Sequence, residues 1–359
     1  MRLLRVDIRR QRLSRCRKAR YNESMSINTK PVLGFDLGGT KMLCGLVENG
    51  RSVTARNKKK TKEIDKPEDL VDRMVSCVEG CLKEAGISAK DVAALGVAAP
   101  GPINLKTGTL LNPPNLGVQE LPLAKLLSKK LGIPVVLEND VNAGLYGEFV
   151  AGAAQGFKHV VGLFPGTGLG GGMILNGELY YGVSGAAGEI GHMTVQPGGR
   201  LCGCGNRGCL EALASRGAMA REAAVLVAAG KSPTIAKQAG TDISKMKSSV
   251  FADAIDAGEE AVIELVNNAA WWLGIGMASC VNIFNPEAIV IGGGLVEKLG
   301  KSYLKVAEAS MREHAMAALV KKVKVIAAGL ADDAAVIGAA AVATKTLALN
   351  EALGVASES

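Results

Sequence analysis

Residues 32–47 read VLGFDLGGTKMLCGLV, and residues 160–175 read VVGLFPGTGLGGGMIL. Each is an apolar run, a tight glycine turn and a second apolar run. The pattern predicts a strand over Val32–Leu37, a turn at Gly38-Gly39-Thr40 and a returning strand over Met42–Val47. The later copy predicts strands over residues 158–164 and Leu169–Leu175 around Gly166-Thr167-Gly168. A turn of this kind lets phosphate oxygens approach backbone N–H groups, with the Thr40 hydroxyl and the Lys41 charge added. Asp36, just before the turn, can hold the water shell of Mg2+. A plain hairpin also wants glycine, so either hairpin alone is ambiguous. Their recurrence about 130 residues apart predicts two similar halves of an α/β protein, each presenting a phosphate clamp.

Outward from the hairpins, Pro67–Gly86 reads as an amphipathic helix and Val92–Ala98 as a strand. The Pro100-Gly101-Pro102 loop that follows offers backbone groups to a ligand. A helix over Leu121–Leu131 and a buried strand over Pro134–Leu137 lead to Glu138-Asn139-Asp140-Val141-Asn142. A further helix runs on to about Val150. Asp140 stands where the positive end of a helix favours its charge. It reads either as a cap or as a general base aimed into a cleft, with the Asn139 amide beside it to orient a hydroxyl. Further on, Ala212–Gly230, Ser249–Ile283, residues 302–319 and residues 334–348 are helical by pattern. Glu287–Ile291 is a strand that ends in Gly292-Gly293-Gly294, which reads as a close approach to a flat group such as adenine or as a plain turn.

Between these elements lies GEIGHMTVQPGGRLCGCGNRGCLE, residues 188–211. Cys202, Cys204 and Cys209 are spaced C-x-C-x4-C, with His192 ten residues upstream. Three thiolates and one imidazole make a full tetrahedral set for zinc with no position left for water, hence a clamp and not a catalyst. A disulfide, or thiols that never meet, are the other readings. Glu189 and Glu211 bracket the clamp and suggest a polar ligand beside it.

Composition narrows the class. The formal charge of +8 misleads, because residues 1–24 hold nine Lys/Arg against Asp7 and Glu23. That is +7, which leaves +1 for residues 25–359 and no nucleic-acid footprint there. The basic leader reads as a disordered tail or as translation from a start upstream of Met25; a targeting or nucleic-acid-binding segment is the other reading. Eight cysteines in 359 residues do not make a disulfide scaffold, and no apolar signal core is present, so a reducing cytoplasm is expected. The longest uncharged run, Ala269–Val281, is too short to span a bilayer.

FDLGGTK, the PGP loop, LENDVNA, GTGLGGG, GEIGH, CGCGNRGCLE and IVIGGG occur here in the order found in the ROK family of sugar kinases and repressors. The resemblance covers residues 31 to about 346, and the chain is most like the family's bacterial glucokinases. It implies two actin-like (ribonuclease H-like) α/β domains with a cleft between them. These are expected over residues 31–142, completed by a helix at about 334–349, and over residues 143–333, which include the zinc loop 192–209. It implies ATP-dependent phosphorylation of a sugar, glucose first, with Mg2+, a structural Zn2+ and a homodimer. Gly38, Gly39, Thr40 and Gly166, Thr167, Gly168 resemble the two phosphate loops, with Asp36 and Lys41 beside the first. Gly293 and Gly294 resemble the adenosine pocket and Asp140 the catalytic base. Asn139, Glu189, His192 and Glu211, with Gly101, resemble the sugar site, and His192, Cys202, Cys204 and Cys209 the zinc site. A kinase for fructose, mannose or an N-acetylhexosamine, polyphosphate as donor, and a sugar-responsive repressor are the alternatives. Two positions depart from the family pattern, Pro165 and the Asp332-Asp333 pair. Neither is expected to touch a residue assigned to chemistry.

Overall fold

A computed structural model describes residues 30–61, 66–113 and 116–353. The expected basic leader, apart from Lys30, lies outside these residues. The elements run β1 (Val32–Leu37), β2 (Lys41–Glu48), β3 (Ser52–Lys60), α1 (Pro67–Ala85), β4 (Leu95–Ala99), β5 (Ile103–Asn104), β6 (Thr109–Leu110), α2 (Leu123–Leu131), β7 (Val135–Asn139) and α3 (Asp140–Ala151). The second half runs β8 (Val160–Pro165), β9 (Leu169–Leu175), β10 (Glu178–Leu179), α4 (Glu211–Ala214), α5 (Arg216–Ala228), α6 (Pro233–Ala239), α7 (Ser248–Asp256), α8 (Glu260–Phe284), β11 (Ala288–Ile291), α9 (Gly294–His314), α10 (Ala317–Val320), β12 (Lys324–Ala327) and α11 (Asp333–Leu353).

Each half is built on one five-stranded sheet, in the orders β3-β2-β1-β4-β7 and β10-β9-β8-β11-β12. In both, an antiparallel hairpin is extended by two parallel strands. The recurrence read from the two glycine hairpins is therefore a recurrence of topology. The second turn is one residue tighter: Gly38 N–H donates to Lys41 O at 3.0 Å, whereas Gly166 N–H donates to Gly168 O at 2.9 Å. The edge strands differ in character. β3 ends in Lys58, Lys59 and Lys60, carries a bulge at Leu46/Val47 of its partner, and is exposed at alternate residues. β10 has two residues, and β12 starts at Lys324.

The helix that follows each half's last parallel strand packs on the sheet of the other half. α11 lies on the first sheet, where Gly34 of β1 and Gly96 of β4 are register partners. A Cβ on Gly34 would fall 1.9 Å from Val336 O, and one on Gly96 would fall 2.0 Å from Ala339 O. Only glycine lets the helix backbone settle there. α3 lies against the second sheet, where Leu145 and Tyr146 join Val160, Ile174 and Val290 in one core. The two helices then meet each other, and a Cβ on Gly338 would fall 1.7 Å from Ala143 O. The expected helix at about 334–349 is thus present as α11.

Three predicted spans break differently. The pattern over Ala212–Gly230 forms α4 and α5, parted where the backbone of Ser215 is extended. The apolar pattern over Ser249–Ile283 forms α7 and α8, because Gly258 turns the chain at φ +76°. The helix expected over 302–319 begins earlier, at Gly294, bends where Gly300 has φ 64°, and stops at His314. Gly292-Gly293-Gly294 therefore opens a helix as well as ending a strand. Among the described residues, no helix is long and apolar enough to cross a membrane.

Candidate functional site

The site is assembled where β7 passes into α3. Asn139 caps the helix: its Oδ1 accepts the N–H groups of Val141 at 3.0 Å and Asn142 at 3.1 Å. The capping reading of Asp140 is thereby corrected, since Asp140 is the first helical residue and the cap precedes it. Its Oδ1 accepts its neighbour's N–H, from Val141 at 2.9 Å. Removal from water pushes the Asp140 carboxyl up to about 6, against the pull of that N–H, and the charge of Glu189 adds to the rise. Asp36, at the end of β1, also rises to about 6, through burial and then through the charge of Asp140. A Cβ on Gly101 would lie 3.5 Å from Asn139 Nδ2, so the Pro100–Pro102 loop adjoins the same junction.

From Glu189, whose charge acts on Asp140, the contacts run on to the second hairpin. Glu189 Oε2 is 3.9 Å from His192 Nε2. His192 Nδ1 is 3.6 Å from Cys202 Sγ, and Cys202 Sγ is 3.5 Å from Glu211 Oε1. Glu211 Oε2 accepts the N–H of Leu169 at 2.9 Å, directly after Gly168. Asp140, Glu189, His192 and Glu211 thus form one polar wall that ends on a glycine turn.

The cysteine cluster fits zinc. The donor atoms of His192, Cys202, Cys204 and Cys209 lie within 4.8 Å of one another. Cys204 Sγ and Cys209 Sγ are 3.7 Å apart. Sulfurs held at about 2.3 Å from one tetrahedral zinc stand about 3.8 Å apart. All three are free thiols, which removes the disulfide reading. Gly205 (φ 91°) and Gly208 (φ 79°) make the turns, and a Cβ on Gly208 would strike Gln196 O at 1.8 Å.

The nucleotide-side residues fall into two groups. Gly38 O accepts the Thr61 hydroxyl at 2.7 Å, and Thr40 O accepts the Thr61 N–H, so the first turn is braced from behind. Gly293, N-terminal to α9, stands against the second turn: its Cβ would lie 2.9 Å from Pro165 O. Lys41 does not simply add a charge to the first turn, because its ammonium pairs with Asp332 at 2.7 Å. Lys58 shares Asp332 at 3.3 Å, and Arg56 holds Asp333 through two hydrogen bonds. The expectation that the two departures from the pattern touch no assigned residue fails at both: Asp332 holds Lys41, and the Pro165 carbonyl abuts Gly293.

Three further residues belong to the site and were missed in the sequence. Glu138 is buried at 2% exposure. It accepts from Tyr181 Oη at 2.7 Å, Asn139 N at 2.8 Å and Asn142 Nδ2 at 3.2 Å. Burial raises its pKa against those three donors. Tyr181 begins the loop that reaches Glu189, and Ala187 N–H closes that loop on Tyr181 O. Arg216 opens α5 and donates to Thr167 Oγ1 in the second turn. Glu138 stood inside the LENDVNA motif; no sequence signal marked the other two.

The ROK family model matches residues 32–346. A glucokinase of Halalkalibacterium halodurans is 34% identical over 307 residues, 85% of this chain and 92% of that protein. A xylose repressor of Caldicellulosiruptor bescii is 30% identical, over 86% of this chain and 76% of that protein. Among solved structures, a ROK family glucokinase from Streptomyces griseus, in complex with glucose and AMPPNP, superposes with a TM-score of 0.75. It is 32% identical, over 87% of this chain and 98% of that one. The paired sheets with their exchanged helices are the actin-like architecture of those enzymes. On sequence, fold and extent of match, the chain belongs to the ROK family.

Proposed function

We propose that this protein is an ATP-dependent glucokinase that transfers the γ-phosphoryl group of ATP to the 6-hydroxyl of glucose, with Asp140 as general base. The observation that carries the reading is the Asp140 carboxyl, raised to about 6 at a strand-to-helix junction between the charges of Asp36 and Glu189. A base so tuned is ionised at neutral pH yet basic enough to take a hydroxyl proton. The glucokinase relative and the glucose–AMPPNP complex of the S. griseus enzyme support sugar and ATP as the two substrates.

In this mechanism the sugar oxygen attacks the γ-phosphorus, its proton passes to Asp140, and ADP leaves. Proton transfer of this kind contributes roughly a hundredfold to ten-thousandfold. Positioning and charge neutralisation supply most of the rest, because the transition state is loose. The Asn139 amide, Glu189, Glu211, His192 Nε2 and the Gly101 backbone would read the sugar hydroxyls. Backbone N–H groups of Gly38–Thr40 and Gly166–Gly168 would meet phosphate oxygens, and Gly293 and Gly294 would admit the adenosine. Asp36 would hold Mg2+, which neutralises charge on the phosphates when bound; a carboxyl lifted by burial and then by a second acid is suited to a cation. His192, Cys202, Cys204 and Cys209 would hold zinc, a structural clamp that keeps Nδ1 on the metal side and Nε2 toward Glu189. A homodimer acting in the cytoplasm completes the reading.

The test is ADP release from ATP and Mg2+ over a panel of hexoses and N-acetylhexosamines with a no-sugar blank. Turnover led by glucose supports the proposal, and turnover led by another sugar keeps the mechanism and replaces the substrate. Because a repressor is also among the relatives, sugar binding without turnover would make the chain a sensor.

A further inference from the structure

The first hairpin carries a lysine and the second does not, yet both are read as phosphate clamps. Lys41 is directed to the Asp332 carboxylate. The second turn gains its cation from elsewhere in the chain. Arg216 N–H donates to Gly166 O at 2.9 Å, and Gly217 N–H donates to Thr167 O at 3.1 Å, so the start of α5 is fastened to the turn. The guanidinium then reaches Thr167 Oγ1 through Nη2 and Met246 O through Nη1 at 3.1 Å. Both acceptors are neutral, and among the described residues no carboxylate forms a salt bridge with it. Burial correspondingly lowers the pKa of Arg216. From Met246 the wall continues to Ser248, whose Oγ would lie 3.5 Å from a Cβ on Gly294. Arg216 thus stands between the Gly166–Gly168 turn and the residues read as the adenosine pocket.

We propose that Arg216 is a nucleotide-binding residue whose guanidinium contacts the phosphate chain of a nucleoside di- or triphosphate seated against the Gly166–Gly168 turn. The Thr167 hydroxyl and the Met246 carbonyl hold the guanidinium in place before the nucleotide arrives. A planar donor fork fixed in this way suits phosphate oxygens better than a mobile ammonium does. The charge that meets the phosphates then comes from the second half of the molecule, while the base Asp140 and the Mg2+-side acid Asp36 belong to the β7 and β1 ends of the first sheet. The assignment rests on the reading of the chain as an ATP-dependent kinase.

The experiment is calorimetric titration of the full chain and of its Arg216→Gln and Arg216→Lys variants with a non-hydrolysable ATP analogue, ADP and adenosine. Melting curves report folding. Hydrogen bonds to charged groups predict a loss of about tenfold to a hundredfold in affinity for the analogue and ADP in Arg216→Gln. Arg216→Lys should recover part of it, and adenosine should bind all three proteins within about twofold. Equal loss of adenosine and analogue would overturn the assignment, since Arg216 would then only brace the pocket. Unchanged affinity in a folded Arg216→Gln protein would overturn it too. An unsubstituted protein that binds no nucleotide would refute the ATP reading itself, and the assignment with it.

Discussion

Tyr181→Phe removes one oxygen, and the structure gives the size of the effect. Glu138 has three donors around a carboxylate at 2% exposure, and the Tyr181 hydroxyl is the only one of the three on Oε2. A hydrogen bond to an ionised group contributes about 1.5–3 kcal/mol, against about 0.5–1.5 kcal/mol when the group is neutral. The pKa of Glu138 is already raised by burial, and losing a donor to the ionised form raises it further. A carboxyl with a folded pKa above its unfolded value stabilises the protein most when protonated, and that contribution fades as pH rises. The variant should therefore lose more stability at pH 8 than at pH 5. At pH 8 the larger loss corresponds to a Tm drop of about 2–4 °C for a chain of this length. Melting both proteins at both pH values cancels every titration they share. Because Tyr181 anchors the loop that carries Glu189, the same variant should raise KM for the sugar and leave KM for ATP alone. An equal or greater loss at pH 5, or a Tm at pH 8 that does not move, would refute the account of Glu138 as an ionised group held by the tyrosine.

Asp140→Asn keeps the bond from Val141 N–H and should bind sugar normally while losing about a hundredfold to ten-thousandfold in kcat. Near-normal kcat would exclude Asp140 as the base. In the unsubstituted protein kcat/KM should fall tenfold per pH unit below about 6, as Asp140 takes up a proton. Because that pKa is raised on folding, the ionised carboxylate opposes folding at neutral pH, so Asp140→Asn should melt higher at pH 7.5. Cys204→Ser should abolish bound zinc on metal analysis and raise KM for sugar through His192; full zinc content would refute the four-residue set. Gly338→Ala places a methyl where Ala143 O now lies, and should cost about 1–3 kcal/mol or more in a melt. A neutral result there would mean that α3 and α11 can part without loss.

What could be read from the sequence was whatever the chain keeps in one stretch. The glycine turns, the LENDVNA junction and the four metal-type ligands each lie within a few tens of residues, so spacing alone conveys their geometry. The pairings that tune them do not. Lys41 and Asp332 are separated by 291 positions, Arg216 and Thr167 by 49, and Tyr181 and Glu138 by 43. Nothing in the local pattern of Tyr181 or Arg216 differs from that of a surface tyrosine or a first-turn arginine. Asp140 shows the limit from the other side: an Asp at a strand-to-helix junction reads as a cap, and only the geometry reveals that Asn139 had taken that role. The packing of α3 on the second sheet escaped for the same reason, whereas the return of α11 to the first half was implied by the family resemblance and not by any local pattern. Gly34, Gly96 and Gly338 mark where backbones touch, but not which backbones.

The lysines of β3 have a consequence apart from any ligand. An open sheet leaves a row of unpaired N–H and C=O groups along each edge, and such a row invites a strand from another molecule. β3 is the longest strand among the described residues, and it is an edge. Arg56, Lys58, Lys59 and Lys60 would set like charges against each other if two copies met there, and the bulge at Thr54 spoils the register for a straight partner. β10 is too short to act as a template, and β12 opens on Lys324. These edges steer each sheet toward its own chain and away from intermolecular aggregation.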